Sequence, residues 1–137
     1  NSIFPILSGK NEGKKALFKG SLLLIIIGLI IGLPILYLLS PWMVEILAGS
    51  GFGESVLVLR ILLVALIFSY ISHLFGFSLI AKGGQKVILG IGLVALVVNV
   101  VGNLITIPSL GIVGAAWTTV ATEAVASILM VVALVKR

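Results

Sequence analysis

The 137-residue chain contains no cysteine, no aspartate and a single histidine, His73. Without cysteine there is no disulfide framework, no thiolate metal site and no cysteine nucleophile, and nothing marks the redox compartment. The acidic residues are all glutamates, and no two stand at the spacing of paired catalytic carboxylates. No Gly-x-Ser-x-Gly elbow, phosphate-binding loop or metal-ligand cluster occurs. The glycines of "KGGQK" lie in a short connection between apolar runs, not at a strand–helix junction. The expectation is a protein that is not an enzyme and holds neither metal nor cofactor. Charge is scarce as well. Only 9% of residues are charged and 61% are hydrophobic, against about 25% and roughly 45–50% in soluble domains. No water-soluble core of this length hides so much apolar surface, so the chain reads as an integral membrane protein.

What is present is four long apolar runs. They extend roughly from Gly20 to Leu39, Ser55 to Ala81, Val87 to Ile107 and Ile112 to Val135. Each is near or above the ~20 residues that cross a bilayer as a helix. The connections "SPWMVEILAGSGFGE", "KGGQK" and "PSLG" are short, which sets neighbouring helices antiparallel. The expected fold is an all-α membrane protein with four transmembrane helices in an antiparallel bundle over 20–137. Residues 1–19 are expected to be the end of a preceding helix plus a basic cytoplasmic loop. The chain opens at Asn1 on "SIFPILSG" with no signal-peptide pattern, and a fragment lacking an N-terminal part is expected.

The net charge of +5 has a topological explanation. Lys10, Lys14, Lys15 and Lys19 precede the first run, Lys82 and Lys86 separate the second from the third, and Lys136 and Arg137 follow the fourth. The other two connections carry Glu45 and Glu54. The lysines and Arg137 therefore share one side, which the positive-inside rule makes cytoplasmic, as are both ends of the segment. No nucleic-acid partner is needed. The Lys10–Lys19 run also suits anionic lipid headgroups.

Helices in lipid associate through small and polar residues. In the first run Gly28 and Gly32 form a Gly-x-x-x-Gly pair, and Pro34 predicts a kink. The second run places Ala65, Ser69, Ser72, His73 and Gly76 on one face; the third so places Gly92, Ala95, Asn99, Gly102, Asn103 and Thr106. In the fourth, Gly114, Thr118, Thr122 and Ala126 make one row, and Ala115, Thr119, Glu123 and Ser127 the next. Val113, Trp117, Val120, Ile128 and Val131 are expected to face lipid. Such faces suit a packed bundle, and also one bordering a hydrated path.

Glu123 is the costliest residue. A mid-span carboxylate costs at least ~2.5 kcal/mol on insertion scales, and intramembrane acids often serve ion or proton coupling. The alternative is a glutamate bonded to Thr119 or a neighbouring helix. Asn99 and Asn103 can bridge helices or contact substrate. His73, in the cytoplasmic half of its span, can relay protons or simply pack through a hydrogen bond. Arg60 lies opposite the Ser69/His73 face. It is expected to snorkel to the outer interface, or else to bind an anionic headgroup or glycan phosphate. Tyr37 and Trp42 read as interfacial aromatics.

Several stretches together resemble the C-terminal half of the multidrug/oligosaccharidyl-lipid/polysaccharide flippase superfamily, in its polysaccharide biosynthesis or O-antigen-type branch. They are "FPILSG" (Phe4 to Gly9), "GLPILYLLSPWMVEILAGSGF", "VLRILLVALIF" and, most specific, "NVVGNLITIPSLGIVGAAWTTVATEA" with its Asn-x-x-x-Asn-x-x-x-x-Pro, Gly turn and Gly-Ala-Ala-x-x-Thr. The resemblance covers nearly the whole chain. It implies two six-helix lobes around a cavity of alternating access, with this chain supplying four helices of the second lobe and the N-terminal lobe missing. It implies flipping of lipid-linked oligosaccharide to the outer face of a prokaryotic plasma membrane, with proton or sodium coupling in many members. Alternatives are a multidrug/toxin extrusion antiporter, a lipid II flippase, or, in another class, a four-helix membrane scaffold without substrate. Glu123 separates transport from scaffold, because a scaffold gains little from an acid there.

Overall fold

The computed structural model of the chain describes residues 22–136 and, before them, Gly13, Lys19 and Gly20. The expected preceding-helix end and most of the basic run, with Lys10, Lys14 and Lys15, lie outside the described residues, as does Arg137. The described chain is all helical. Three helices are long and apolar enough to cross a membrane: α1 (Leu22–Ala48), α2 (Gly53–Ala81) and α3 (Gln85–Val135). The chain divides into two compact units between Pro34 and Ile35.

In the first unit, Gly28–Gly32 forms a π-helical turn just ahead of Pro34. Pro34 has no N–H for the carbonyl four residues back, at Ile30, which lies inside that turn. Gly28 and Gly32 belong to the turn, and a Cβ on either would meet nothing within 4 Å.

α1 runs on past Leu39, where the first span was expected to end, through Pro41 to Ala48. The connection to α2 is therefore residues 49–52, not the whole stretch from Ser40 to Glu54. The reason lies one residue before the proline. Pro41 cannot donate to the Tyr37 carbonyl, but the Ser40 hydroxyl does, at 2.7 Å. A serine that re-satisfies the freed carbonyl lets a helix pass a proline in an apolar setting.

α2 ends in a Schellman motif. Gly83, at φ +75°, takes the left-handed position. Gly83 N–H donates to the Ile80 carbonyl at 2.9 Å, and Gly84 N–H to that of Leu79 at 2.8 Å.

The expected third and fourth spans lie on one helical run, α3, of 51 residues. Its interior departs from helical geometry at Gly111 (φ 57°, ψ −137°), and the run folds back there. Asn99 and Thr122, 23 residues apart, are 3.4 Å from each other; in a straight helix they would be about 34 Å apart. Pro108, Ser109 and Leu110, expected in a turn, are helical up to that point. The limbs, residues 85–110 and 112–135, approach closely through small residues. A Cβ on Gly114 would lie 2.6 Å from the Thr106 carbonyl oxygen, and one on Gly102 2.6 Å from Thr118 Cγ2.

α2 packs against both limbs. Near its start Ile61 and Ala65 meet Ala116 and Val120, with Val58, Phe68 and Val113 around them. Near its end Leu79 meets Ile91 and Met130, flanked by Val87 and Leu134. α2 is thus parallel to the second limb and antiparallel to the first. This corrects the lipid-facing expectation. Trp117 and Ile128 are exposed, but Val120 is buried and Val113 packs beside it. The second limb has neighbours on two sides: Gly114, Thr118 and Thr122 face the first limb, while Ala116 and Val120 face α2. A single small-residue face could not anticipate the second contact.

Elsewhere large apolar side chains stand open, such as Ile46 at 82% and Leu104 at 72% exposed. Water penalises such a surface and lipid does not. Lys82, Lys86 and Lys136 gather at one end of the second unit, and Glu45 and Glu54 at the other.

Candidate functional site

The fold-back at Gly111 brings the polar faces of the two α3 limbs together. Asn103 Nδ2 donates to Asn99 Oδ1 at 3.1 Å. Asn99 Nδ2 donates across the limbs to Thr122 Oγ1 at 3.4 Å. Thr122 Oγ1 donates to the Thr118 carbonyl at 2.8 Å, and the Thr118 and Thr106 hydroxyls are 2.9 Å apart. One continuous ladder thus ties the limbs. Its loose end is Asn103 Oδ1, which is buried with no hydrogen-bond partner. Outside the ladder, Asn99, Asn103, Leu104 and Pro108 line a shallow depression of about 380 Å³.

Glu123 lies one residue beyond Thr122, on the next row of the same limb. It is half-buried, and no described residue bonds or pairs with it. Thr119, the expected partner, donates instead to the Ala115 carbonyl at 3.0 Å. The carboxylate is therefore held at mid-helix without the local bond that would make it a packing group.

His73 belongs to a separate place. Its Nδ1 lies 2.8 Å from the Ser69 carbonyl. A carbonyl only accepts, so Nδ1 is the donor of that bond. His73 borders a cavity of about 210 Å³ with Ser72, Gly76, Phe77, Ile88 and Met130. Ser72 Oγ is buried there without a partner. No hydrogen bond links His73 to Glu123 or to the Asn–Thr ladder.

Arg60 does not snorkel freely. Its Nε donates to Ser40 Oγ at 3.0 Å, and its Cζ sits 4.3 Å from the centroid of the Tyr37 ring. Tyr37 is thus more than an interfacial aromatic, whereas Trp42 is 66% exposed. Ser40 is the residue that sequence reasoning missed. Its signal was a hydroxyl directly before a proline in an apolar run, with an arginine at the matching depth of the next helix.

The candidate residues therefore fall into three places: the Asn99–Asn103–Thr122–Thr118 ladder with Glu123 beside it, the His73 cavity, and the Arg60 clip. Of the packing candidates, Gly114 and Thr118 lie in the close contact between the two limbs of α3. No protein-family model, no curated protein and no solved structure matches the chain.

Proposed function

We propose that the chain is a segment of a membrane transporter that flips lipid-linked oligosaccharide by alternating access, as the motif order of its sequence suggests. The observation that carries the reading is Glu123, a half-buried carboxylate in mid-helix with no partner among the described residues. An acid kept in an apolar span without a packing bond is costly, and ion or proton coupling gives that cost a purpose. In this reading α3 crosses the bilayer twice, giving four crossings in a second lobe, and the lysine-bearing end is cytoplasmic in a prokaryotic plasma membrane. The N-terminal lobe of the same protein completes the cavity. Glu123 binds a proton or sodium ion, with Thr119, Thr122 and Asn99 nearby and His73 on a separate path.

The Asn–Thr ladder favours the scaffold reading for those residues alone, since each of them bonds to another of the set or to its own helix. A multidrug antiporter or lipid II flippase would use the same carboxylate with a different cargo. The deciding experiment is Glu123→Gln in the full-length protein, reconstituted in vesicles with an imposed pH or sodium gradient. Gradient-driven flipping should disappear while the amount of protein in the membrane is unchanged. Undiminished, gradient-dependent flipping in that variant would remove the coupling role.

A further inference from the structure

We infer that Arg60, held between Ser40 and Tyr37, is the receptor for a phosphate group at the Glu45/Glu54 end of the bundle. Three observations lead there. First, the guanidinium sits in an apolar helix and has no carboxylate partner among the described residues. An uncompensated charge away from water is costly and draws in a counter-ion. Second, the side chain is already fixed. Ser40 is fully buried; it gives its proton to the Tyr37 carbonyl and offers its lone pair to Arg60 Nε. The Tyr37 ring covers one face of the guanidinium. Both partners are neutral, so they orient the charge without cancelling it.

Third, the part left over has a definite shape. With Nε occupied, Nη1 and Nη2 remain, and their parallel N–H groups form an end-on fork matched to two oxygens of one phosphate. A lysine ammonium has no such fork. Depth agrees with this ligand. Arg60 is seven residues into α2, so its Cα lies about 10 Å along the helix. The 29 residues of α2 extend about 43 Å, some 6 Å beyond each side of a ~30 Å hydrocarbon core. Arg60 is then about 4 Å inside the boundary, within reach of a headgroup phosphate. The phosphate can come from a bilayer phospholipid, a polyprenyl-linked saccharide or free solution. The inference stands whether or not Glu123 couples transport.

The test uses the purified full-length protein, stripped of lipid and titrated in detergent with phosphatidylglycerol, polyprenyl phosphate, inorganic phosphate and, as phosphate-free control, diacylglycerol. Binding is read by native mass spectrometry. At least one phosphate probe should bind more tightly than diacylglycerol, and Arg60→Gln should weaken it by about tenfold or more. Arg60→Lys should fall between. Preference among the three probes identifies the source. A second readout needs no variant: the same probe should slow dicarbonyl modification of Arg60, followed by peptide mass spectrometry, while diacylglycerol does not. Equal binding of the phosphate probes and diacylglycerol, equal binding by wild type and Arg60→Gln, or modification unaffected by every phosphate probe would each overturn the inference. The last pattern, with Arg60 unreactive throughout, would point to a carboxylate from another segment.

Discussion

A Cβ on Gly114 would lie 2.6 Å from a backbone oxygen, that of Thr106, and one on Gly102 would lie 2.6 Å from the methyl of Thr118. Neither obstacle moves cheaply. The first is main chain, and the second belongs to a side chain held by its hydroxyl against Thr106. Gly114→Ala and Gly102→Ala should therefore each destabilise the protein by about 1–3 kcal/mol, as overpacking does. Gly92→Ala, where a Cβ meets nothing within 4 Å, should be neutral or slightly stabilising because alanine favours helix. Thermal unfolding midpoints in detergent separate the two outcomes. Much at this scale is legible in the sequence. The i,i+4 spacing of Asn99 with Asn103, and of Gly114, Thr118 and Thr122, puts each set on one face of a helix. The Ser40 contact is only half legible: the hydroxyl before a proline and the arginine twenty residues on can be read, but the register between the two helices that joins them cannot.

At the scale of the element, α1 passes through Pro41 without ending. Proline in a helix ordinarily costs about 3 kcal/mol, through its missing N–H and the ring clash. The Ser40 hydroxyl replaces the missing donor at the Tyr37 carbonyl and also receives Arg60. Ser40→Ala strips both roles and should destabilise by about 1–3 kcal/mol. In Ser40→Ala with Pro41→Ala, residue 41 regains an N–H for the Tyr37 carbonyl, so part of the loss should return. A double-mutant cycle on unfolding free energies measures this, and coupling near zero would refute the account. The same device explains why the end of α1 is misjudged from sequence. Proline, tryptophan and glutamate after Leu39 read as a polar connection, and only the hydroxyl bond reveals that the helix continues. At Gly111 the reverse holds. The glycine after "IPSL" marks the reversal, while residues 108–110 ahead of it are helical and exposed, which the proline and serine there do not announce.

At the scale of the whole molecule, the chain buries few large side chains and leaves most apolar ones open, so its solvent decides its arrangement. Lipid offers no drive to hide leucine, and close approach of small residues and hydrogen bonds set the helix contacts instead. Charge then sets direction. Lys82, Lys86 and Lys136 share one end of the second unit, while the 49–52 connection and the Gly111 reversal share the other, because Val58 and Val113 meet in one cluster. In the topology proposed above the lysine end is cytoplasmic, as the positive-inside rule would have it. The chain has no cysteine of its own, so single cysteines placed in it report position once the full-length protein is freed of any other cysteine. Ser50→Cys and Ser109→Cys, both at exposed positions, should react with a membrane-impermeant maleimide added to intact cells. Lys86→Cys and Lys136→Cys should react only after permeabilisation. If the cysteines at 50 and 109 label from opposite sides, α3 does not cross twice. If all four label as expected, the two limbs of α3 are separate crossings, and Glu123, about midway along the second, is held at the depth where an unpaired carboxylate costs most.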